Sequence, residues 1–245
     1  MTEPLPDHFR QVDQDQQFCF SCHPAVPCFT ECCRQLDLAL SPYDVLRLKG
    51  RLQMHSGTFL DQYVIVERDE RAVFPRCYLT MVDDGRASCV FVSARGCTVY
   101  EDRPGACRAY PIGRGAAKKN KQEQTTERFV LVEEAHCRGF AESTYHTPRN
   151  YLREQGLNGY SRFDDAVMSL LHHEKVRDGF CPNRRQLDQY IMALYNLDLF
   201  RQEMSDGRIS MQRPLSPGEM QGLAGSEEQL LLLGINWLKQ EFFAE

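Results

Sequence analysis

The sequence predicts an α+β protein in which a small cysteine-rich region of strands and loops, with capping helices, is followed by a helical C-terminal part. Two observations carry this prediction. All but one of the eleven cysteines occur before residue 138, among short apolar runs separated by turn residues. From about residue 143 onward, apolar residues recur at helical spacing. With 42% apolar and 26% charged residues in 245, the composition is that of a globular protein with a sizeable core.

These patterns predict three regions. Residues 1–17 are polar and acidic and are expected to form a flexible tail, residues 18–142 a cysteine-cluster domain, and residues 143–245 a helical extension packed on it. The first region lacks the apolar segment of a secretory signal, and no apolar run approaches the length of a membrane span. We therefore expect a cytoplasmic protein without a membrane partner, in a compartment where thiols stay reduced.

The first predicted elements follow the cysteine loop. Leu36 to Leu40 alternates apolar and other residues, which predicts a short strand. Ser41 can serve as an N-cap before a proline at the first helical position and Asp44 at the third, which predicts a helix ending near residues 50–54. Thr58 repeats the capping pattern and predicts a second, short helix.

Strands are expected next, and then helices. Residues 72–82 and 87–92 read as two strands of a hairpin around Asp83-Asp84-Gly85. Residues 116–125 are rich in Lys and Gln and predict a solvated hairpin tip, after which Phe129 to Glu133 forms the returning strand. The predicted C-terminal helices cover residues 148–155, 161–176, 184–204 and 226–243.

The segment from Cys19 to Cys33 carries five thiols in fifteen residues. Pro24 and Pro27, and the lack of any regular apolar period, predict a folded-back loop. Thiolates are soft ligands that suit zinc, copper(I) and iron–sulfur clusters. An odd number of cysteines cannot all pair within one chain, which favours metal ligation over disulfides or simple burial.

Later landmarks extend this pattern: Cys89-Val90-Phe91, Cys97-Thr98-Val99-Tyr100-Glu101-Asp102-Arg103-Pro104, Cys107-Arg108-Ala109-Tyr110-Pro111 and Cys137-Arg138-Gly139-Phe140. Together with Cys22, Cys28 and Cys32-Cys33, they resemble the YkgJ-type cysteine-cluster family, a zinc- or iron-chelating domain with a CxxCxxCC signature. The resemblance covers roughly residues 18–142 and implies metal binding. Members of that family are also described as iron–sulfur proteins, and a flagellin lysine methylase resembles the same domain.

The resemblance implies eight metal ligands: Cys22, Cys28, Cys32, Cys33, Cys89, Cys97, Cys107 and Cys137. Zinc and iron–sulfur clusters both usually take four protein ligands, so two sites, or one site with spare thiols, are both open. The spacing from Cys22 to Cys33 is looser than the signature, and Cys19 is an alternative to Cys22.

Neighbouring side chains suggest further roles. Arg34, Arg108 and Arg138 directly follow proposed ligands and could offset thiolate charge, or could pair with surface carboxylates instead. His23 and His136 adjoin ligands and could replace a thiolate, although adjacent residues in extended chain seldom point the same way.

The leading hypothesis is a cytoplasmic protein that holds zinc or iron, or an iron–sulfur cluster, through the cysteine cluster. A metal- or cluster-dependent enzyme for redox or methyl transfer is one alternative, suggested by the likeness to a lysine methylase. An interaction module stabilised by structural zinc is another. The net charge of −5 gives no reason to expect general nucleic-acid binding, and no protein partner can be identified from the sequence.

Overall fold

A computed structural model describes residues 6, 8–69, 71–118, 125–212, 215–216, 218, 222–223 and 225–244. The chain forms two compact units. Unit 1 combines residues 1–36 with 81–159, and unit 2 combines residues 37–80 with 160–245. The predicted regions 1–17, 18–142 and 143–245 are continuous in sequence, and as independently folding domains they stay a prediction.

Both helices and small sheets are present, which confirms the α+β class. The helices are α1 (Pro42–Arg51), α2 (Ser56–Tyr63), α3 (Gly105–Ala109), α4 (Pro148–Glu154), α5 (Leu157–Leu171), α6 (Glu174–Arg177), α7 (Arg184–Tyr195), α8 (Leu197–Ser205) and α9 (Glu227–Phe243). The strands are β1 (Phe9–Val12), β2 (Phe18–Cys19), β3 (Val64–Glu67), β4 (Arg76–Leu79), β5 (Met81–Val82), β6 (Ser88–Cys89), β7 (Val92–Ser93), β8 (Gly96–Cys97), β9 (Ile112–Lys118), β10 (Thr125–Val132) and β11 (Tyr145–His146).

The largest sheet of unit 1 has the antiparallel order β1-β10-β9. Strand β10 is longer than the predicted returning strand, and it pairs with β9 from Thr125 opposite Lys118 onward. Residues 119–124 of the predicted hairpin tip lie outside the described residues. Residues 9–12 fall within the predicted flexible tail but form β1, because Val12 is buried and the strand pairs with β10 along its whole length.

Short antiparallel pairs complete unit 1. Strands β5 and β6 pair across the Asp83–Gly85 turn, which confirms the predicted hairpin. Strands β7 and β8 form a second tight pair, and β2 pairs with β11. The predicted single strand over residues 72–82 is instead divided between β4 and β5.

Aromatic and aliphatic side chains form the core of unit 1. Phe20 packs edge-on against Tyr110, Phe140 and Tyr151, with ring centroids 5.3 to 6.0 Å apart. Cys137 packs against the same cluster. This cysteine therefore borders the hydrophobic core directly. The buried members of the core are Val12, Phe18, Phe20, Ile112, Phe129, Leu131 and Tyr151.

Unit 2 begins with the predicted capped helix. Ser41 Oγ accepts a hydrogen bond from the Asp44 amide at 3.2 Å, and the Asp44 carboxylate accepts one from the Ser41 amide at 2.8 Å. This capping box confirms the predicted start of α1. The short strand expected at residues 36–40 is reduced to an antiparallel bridge, in which Ala39 lies opposite Tyr78, the Leu40 amide donates to the Cys77 carbonyl at 2.8 Å and the Leu79 amide donates to the Leu38 carbonyl at 2.9 Å. The other edge of β4 pairs with β3, a strand that the sequence did not predict.

The helical C-terminal part is confirmed, with two predicted helices each divided in two. The helix expected over residues 184–204 is interrupted at Asn196, whose side chain accepts a hydrogen bond from the Leu199 amide and caps α8. The helix expected over residues 161–176 ends at Leu171, and His173 then caps α6.

The last helix, α9, supplies much of the core of unit 2. Leu230, Leu231 and Leu238 are fully buried, and Trp237 is 4% exposed with its indole N–H donating to the Ser210 carbonyl at 3.2 Å. The interpretation of the C-terminal apolar residues as core contacts is therefore confirmed. Within the described part of the chain, no helix has the length and apolar character needed to cross a membrane.

Helices α7 and α9 pack closely at a glycine. A Cβ on Gly234 would lie 2.4 Å from the Ala193 carbonyl oxygen, whereas a Cβ on the exposed Gly50 of α1 would meet nothing within 4 Å. We expect Gly234→Ala to lower the free energy of unfolding by about 1–3 kcal/mol through overpacking. The same substitution at Gly50 should raise it by up to about 1 kcal/mol through helix propensity. Chemical denaturation of both variants measures this difference, and an equal effect would contradict the close packing.

A second prediction concerns acid stability. The buried ammonium of Lys49 contacts Asp198 at 3.3 Å and also contacts Glu227, and Ser56 donates its amide to Asp198 at 2.7 Å. Burial alone would raise the pKa of Asp198, but the hydrogen bonds from Ser56 and the charge of Lys49 outweigh it and hold that pKa below 3.8.

Because the pKa is lowered in the folded state, the stabilisation is present above pH 3.8 and is lost as the pH falls through the folded-state value. We expect the free energy of unfolding of Asp198→Asn to depend less steeply on pH below about 4 than that of the wild type. Asp61→Asn, at an exposed position of α2, is the matched control and should leave the acid limb unchanged.

Candidate metal centre

The cysteine loop coils through successive tight turns. The amides of Val26, Phe29 and Glu31 each donate to the carbonyl three residues earlier, at 2.9 Å. Thr30 has a φ of 70°, unusual for a β-branched residue, and leads into a 3-10 turn over Glu31–Cys33. The folded-back loop predicted from the prolines is confirmed, and its turns bring Cys22, Cys28 and Cys32 near one another.

Four of the proposed ligands share one recess in unit 1. Cys22, Cys28 and Cys32 come from the loop, and Cys137 comes from the segment after β10. Tyr110 and His136 also line this recess. We call it the thiol recess. Its four sulfur-bearing residues come from parts of the chain more than one hundred residues apart, so tertiary structure is needed to bring them together.

A close backbone approach places Cys137 in the thiol recess. The Ser21 amide donates to the Gly139 carbonyl at 3.0 Å. A Cβ on Gly139 would lie 2.6 Å from the Phe20 ring and 2.7 Å from the Ser21 carbonyl oxygen. Glycine is therefore required at residue 139 for the segment to come this near to the loop.

Backbone amides point at several of the sulfurs. The Arg138 amide donates to Cys28 Sγ at 3.0 Å. The Gly139 amide hydrogen-bonds to the Cys137 sulfur in the same way. Hydrogen bonds to the charged form favour a thiolate over a thiol, so these donors suit sulfurs that carry negative charge.

Burial and mutual proximity oppose that charge. Burial, together with the nearby Cys32, Cys28 and Cys137, raises the pKa of Cys22 to about 11, although the Arg103 guanidinium opposes this rise. A hydrogen bond with Cys33, together with burial, raises the pKa of Cys32 far above its usual value. Burial also raises the pKa of Cys137. A bound cation would offset these costs by displacing the protons.

Cys89 and Cys97 form a second pair close to the loop. Cys89 ends β6 and Cys97 ends β8, and each is followed by a turn whose amides hydrogen-bond back to the sulfur, from Phe91 and Val92 to Cys89 and from Val99 to Cys97. Burial raises the pKa of both thiols. Cys89 interacts electrostatically with Cys97 and with Cys32, so Cys32 connects this pair to the thiol recess.

The other cysteines lie in different settings. Cys33 hydrogen-bonds with Cys32, and Cys107 is half-buried on α3. Cys19 lies in β2 opposite Tyr145. Among the described residues, Cys22 and not Cys19 lines the thiol recess. Cys77 is 1% exposed in β4 of unit 2, and Cys181 is exposed.

The donors fit a soft metal by chemical type. In the described ranges, however, no three His, Cys, Asp or Glu side chains are placed so that they could hold a metal ion. The thiols share a recess and lie near enough to interact electrostatically, as Cys28 and Cys137 do. Ligation would require these side chains to turn toward a common centre. The ligand set therefore stays a prediction.

Arg34 and Arg108, which each follow a cysteine, contact oxygen atoms of other residues. Arg34 contacts the Ser88 hydroxyl and lies 3.5 Å from Glu31. Arg108 donates to the carbonyls of Arg103 at 3.1 Å, Gln155 at 2.9 Å and Glu101. The charge that reaches the thiols comes instead from Arg103, which lowers the pKa of Cys22 and Cys97 and stacks 3.9 Å above the Tyr100 ring.

The two histidines near the cluster differ in position. His23 lies 3.3 Å from Glu142 and is not among the residues that line the thiol recess. His136 lines the thiol recess and lies 3.5 Å from Glu134. It is therefore the histidine whose ring borders the four thiols.

Residues 21–138 match the model of a family named CxxCxxCC and described as "Putative zinc- or iron-chelating domain". Over these residues, the cysteine-rich part of this chain is similar to that family. The matched stretch contains all eight proposed ligands and excludes Cys19. Searches of curated proteins and of solved structures return no significant match. The CxxCxxCC assignment confirms the family resemblance and supports metal binding, with zinc or iron as the metals its description names.

Arg108 generates a prediction about the CxxCxxCC domain itself. A lysine at this position cannot reproduce several fixed N–H donors to separate carbonyls. We expect Arg108→Lys to lower the free energy of unfolding by about 2 kcal/mol, because the half-buried carbonyls of Arg103 and Gln155 lose charged donors. Arg95→Lys, in the exposed turn between β7 and β8, is the matched control and should be nearly neutral. Equal denaturation midpoints for the two variants would contradict the role assigned to Arg108.

Proposed function

We propose that the chain is a metal-binding protein whose CxxCxxCC domain holds zinc or iron through cysteine thiolates. The observation that carries this proposal is the thiol recess, in which Cys22, Cys28, Cys32 and Cys137 meet from distant parts of the sequence. Four thiolates match the ligand number of a structural zinc or of an iron–sulfur cluster.

The hydrogen bonds around the sulfurs support the same proposal. Amides directed at Cys28 and Cys137 favour the charged thiolate, which is the form that binds metal. Each thiol that becomes a ligand releases one proton, and the cation takes over the charge balance that Arg103 supplies only in part.

A second group of donors completes the proposed set of eight ligands. Cys33, Cys89, Cys97 and Cys107 would form it, with the amides behind Cys89 and Cys97 playing the same part as those behind Cys28 and Cys137. Because Cys32 interacts with Cys89, the two groups would be neighbours, in the manner of adjoining sites or of one larger centre.

All eleven cysteines lie within the described residues and are present as thiols. Free thiols in this number are maintained in a reducing compartment, so we propose a cytoplasmic location. Metal binding would also tie the loop to the segment around Cys137 and so contribute to the stability of unit 1.

Metal analysis of anaerobically purified protein tests the proposal. We expect about one equivalent or more of zinc plus iron per chain. Cys28→Ser and Cys137→Ser should each lose most of the metal held in the thiol recess, whereas the matched control Cys181→Ser, an exposed cysteine of unit 2, should retain it. Wild-type protein that contains almost no zinc or iron, and takes up neither on reconstitution, would reject the proposal.

Two further readouts define the centre. Sulfur-to-iron charge-transfer bands in the visible spectrum would identify an iron–sulfur cluster, whereas a colourless, metal-loaded protein would identify zinc. Cys89→Ser tests whether the protein has one metal site or two. Retention of the full metal content would indicate that the thiol recess forms the whole centre, and partial loss would indicate a second site.

A further inference from the structure

The Tyr110 hydroxyl is a buried polar group of unit 1. Its oxygen is inaccessible and makes no hydrogen bond with any residue that the structure describes. Buried hydroxyls nearly always form a hydrogen bond, so a buried hydroxyl without one needs an explanation. The same side chain lines the thiol recess beside Cys137.

The orientation of this hydroxyl is fixed by packing. The Tyr110 ring packs edge-on against Phe20 at 5.9 Å and belongs to the periphery of the unit 1 core. The Tyr151 hydroxyl donates to the Tyr110 carbonyl at 2.7 Å, which holds the backbone as well. The oxygen therefore cannot swing out to solvent without disturbing the core.

The polar groups close to the Tyr110 hydroxyl are the Cys137 sulfur and the Glu134 carboxylate. A neutral thiol is a weak acceptor, whereas a thiolate is a strong one. Glu134 also lies 3.5 Å from His136. Conversion of Cys137 to a metal thiolate would thus turn a weak acceptor beside the Tyr110 hydroxyl into a strong one.

We propose that Tyr110 is a positioning residue of the metal centre, whose hydroxyl donates a hydrogen bond to the sulfur of Cys137 when that sulfur is a metal-bound thiolate. This inference rests on the proposed function. The hydrogen bond fixes the direction of the sulfur lone pairs and withdraws electron density from the metal–sulfur bond. Partners of this kind typically change metal affinity by about 10–100-fold.

Replacement of the metal by cobalt(II) gives an absorption spectrum that would not change if Tyr110 had a purely structural role. Loss of a hydrogen bond raises the energy of the sulfur electrons, so Tyr110→Phe should shift the sulfur-to-cobalt charge-transfer band to longer wavelength. We also expect this variant to bind zinc about tenfold more weakly in a competition assay with a chromophoric chelator. Its metal-free form should unfold at the same denaturant concentration as the wild type or higher, because the hydroxyl has no partner there.

Two tyrosines of unit 1 serve as matched controls. Tyr151→Phe removes a buried hydroxyl whose acceptor is a carbonyl, so it should lower the stability of the metal-free protein and leave the charge-transfer band in place. Tyr145→Phe, at a residue that is 67% exposed, should change neither quantity. In the cadmium-loaded wild type, a scalar coupling between the Tyr110 hydroxyl proton and an NMR-active cadmium isotope would observe the O–H···S–Cd contact directly.

The outcomes are distinguishable. Wild-type protein that takes up no cobalt, zinc or cadmium overturns the proposed function, and with it this inference. Metal uptake with an unchanged spectrum and unchanged affinity in Tyr110→Phe overturns the inference and leaves the proposed function standing. A destabilised metal-free Tyr110→Phe protein with an unshifted band would likewise show that the hydroxyl serves the fold and not the metal centre.

Discussion

The arrangement of unit 1 depends on the close contact between the segment at Gly139 and the strand end at Phe20 and Ser21. A side chain at residue 139 would overlap the Phe20 ring and the Ser21 carbonyl, so only glycine allows the two backbones to hydrogen-bond at this separation. From this contact follow the position of Cys137 and the direction of the Arg138 amide toward Cys28. Without it, sulfurs that are more than one hundred residues apart in sequence would not share a recess.

In the thiol recess, burial and hydrogen-bond donors have opposite effects on the charge of the sulfurs. The hydrophobic core lies immediately behind it, since Phe20 and Tyr110 belong both to that core and to the recess lining. Burial there disfavours a thiolate, while amides and Arg103 favour one. A divalent cation shifts this balance toward the thiolate, which is why we regard the raised thiol pKa values as compatible with a metal centre.

Unit 2 is stabilised in a different way. Its helices bury leucine and aromatic side chains, and one lysine, Lys49, is buried with them. Its ammonium is neutralised by Asp198 and Glu227, from the starts of α8 and α9. Removal of one partner of a buried charge is costly, so this small ionic group fixes how α1 packs with those two helices. No cysteine of the proposed ligand set belongs to this unit.

The sequence by itself determined the features that depend on local chemistry. Capping at Ser41, the turn after Val82 and the apolar face of the last helix were all read correctly, because each depends on residues a few positions apart. The resemblance to the CxxCxxCC family was also recognised from the sequence, through the short motifs around the later cysteines, and residues 21–138 match the family model. By contrast, β3 was missed, and the strand expected at residues 36–40 is only a bridge to β4, because the sequence does not show which segments will lie along the two edges of β4.

Only the tertiary structure decided which sulfurs meet. From the sequence, Cys19 is an alternative to Cys22 as a metal ligand. In the structure, Cys22 lines the thiol recess, whereas Cys19 pairs with Tyr145 in a strand. Arg103, three residues beyond Tyr100, proved to be the arginine whose charge reaches the thiols, although Arg34, Arg108 and Arg138 stand next to cysteines in the chain. The physical reason is that electrostatic and ligand interactions depend on distance in space, and long-range packing sets that distance independently of position in the sequence.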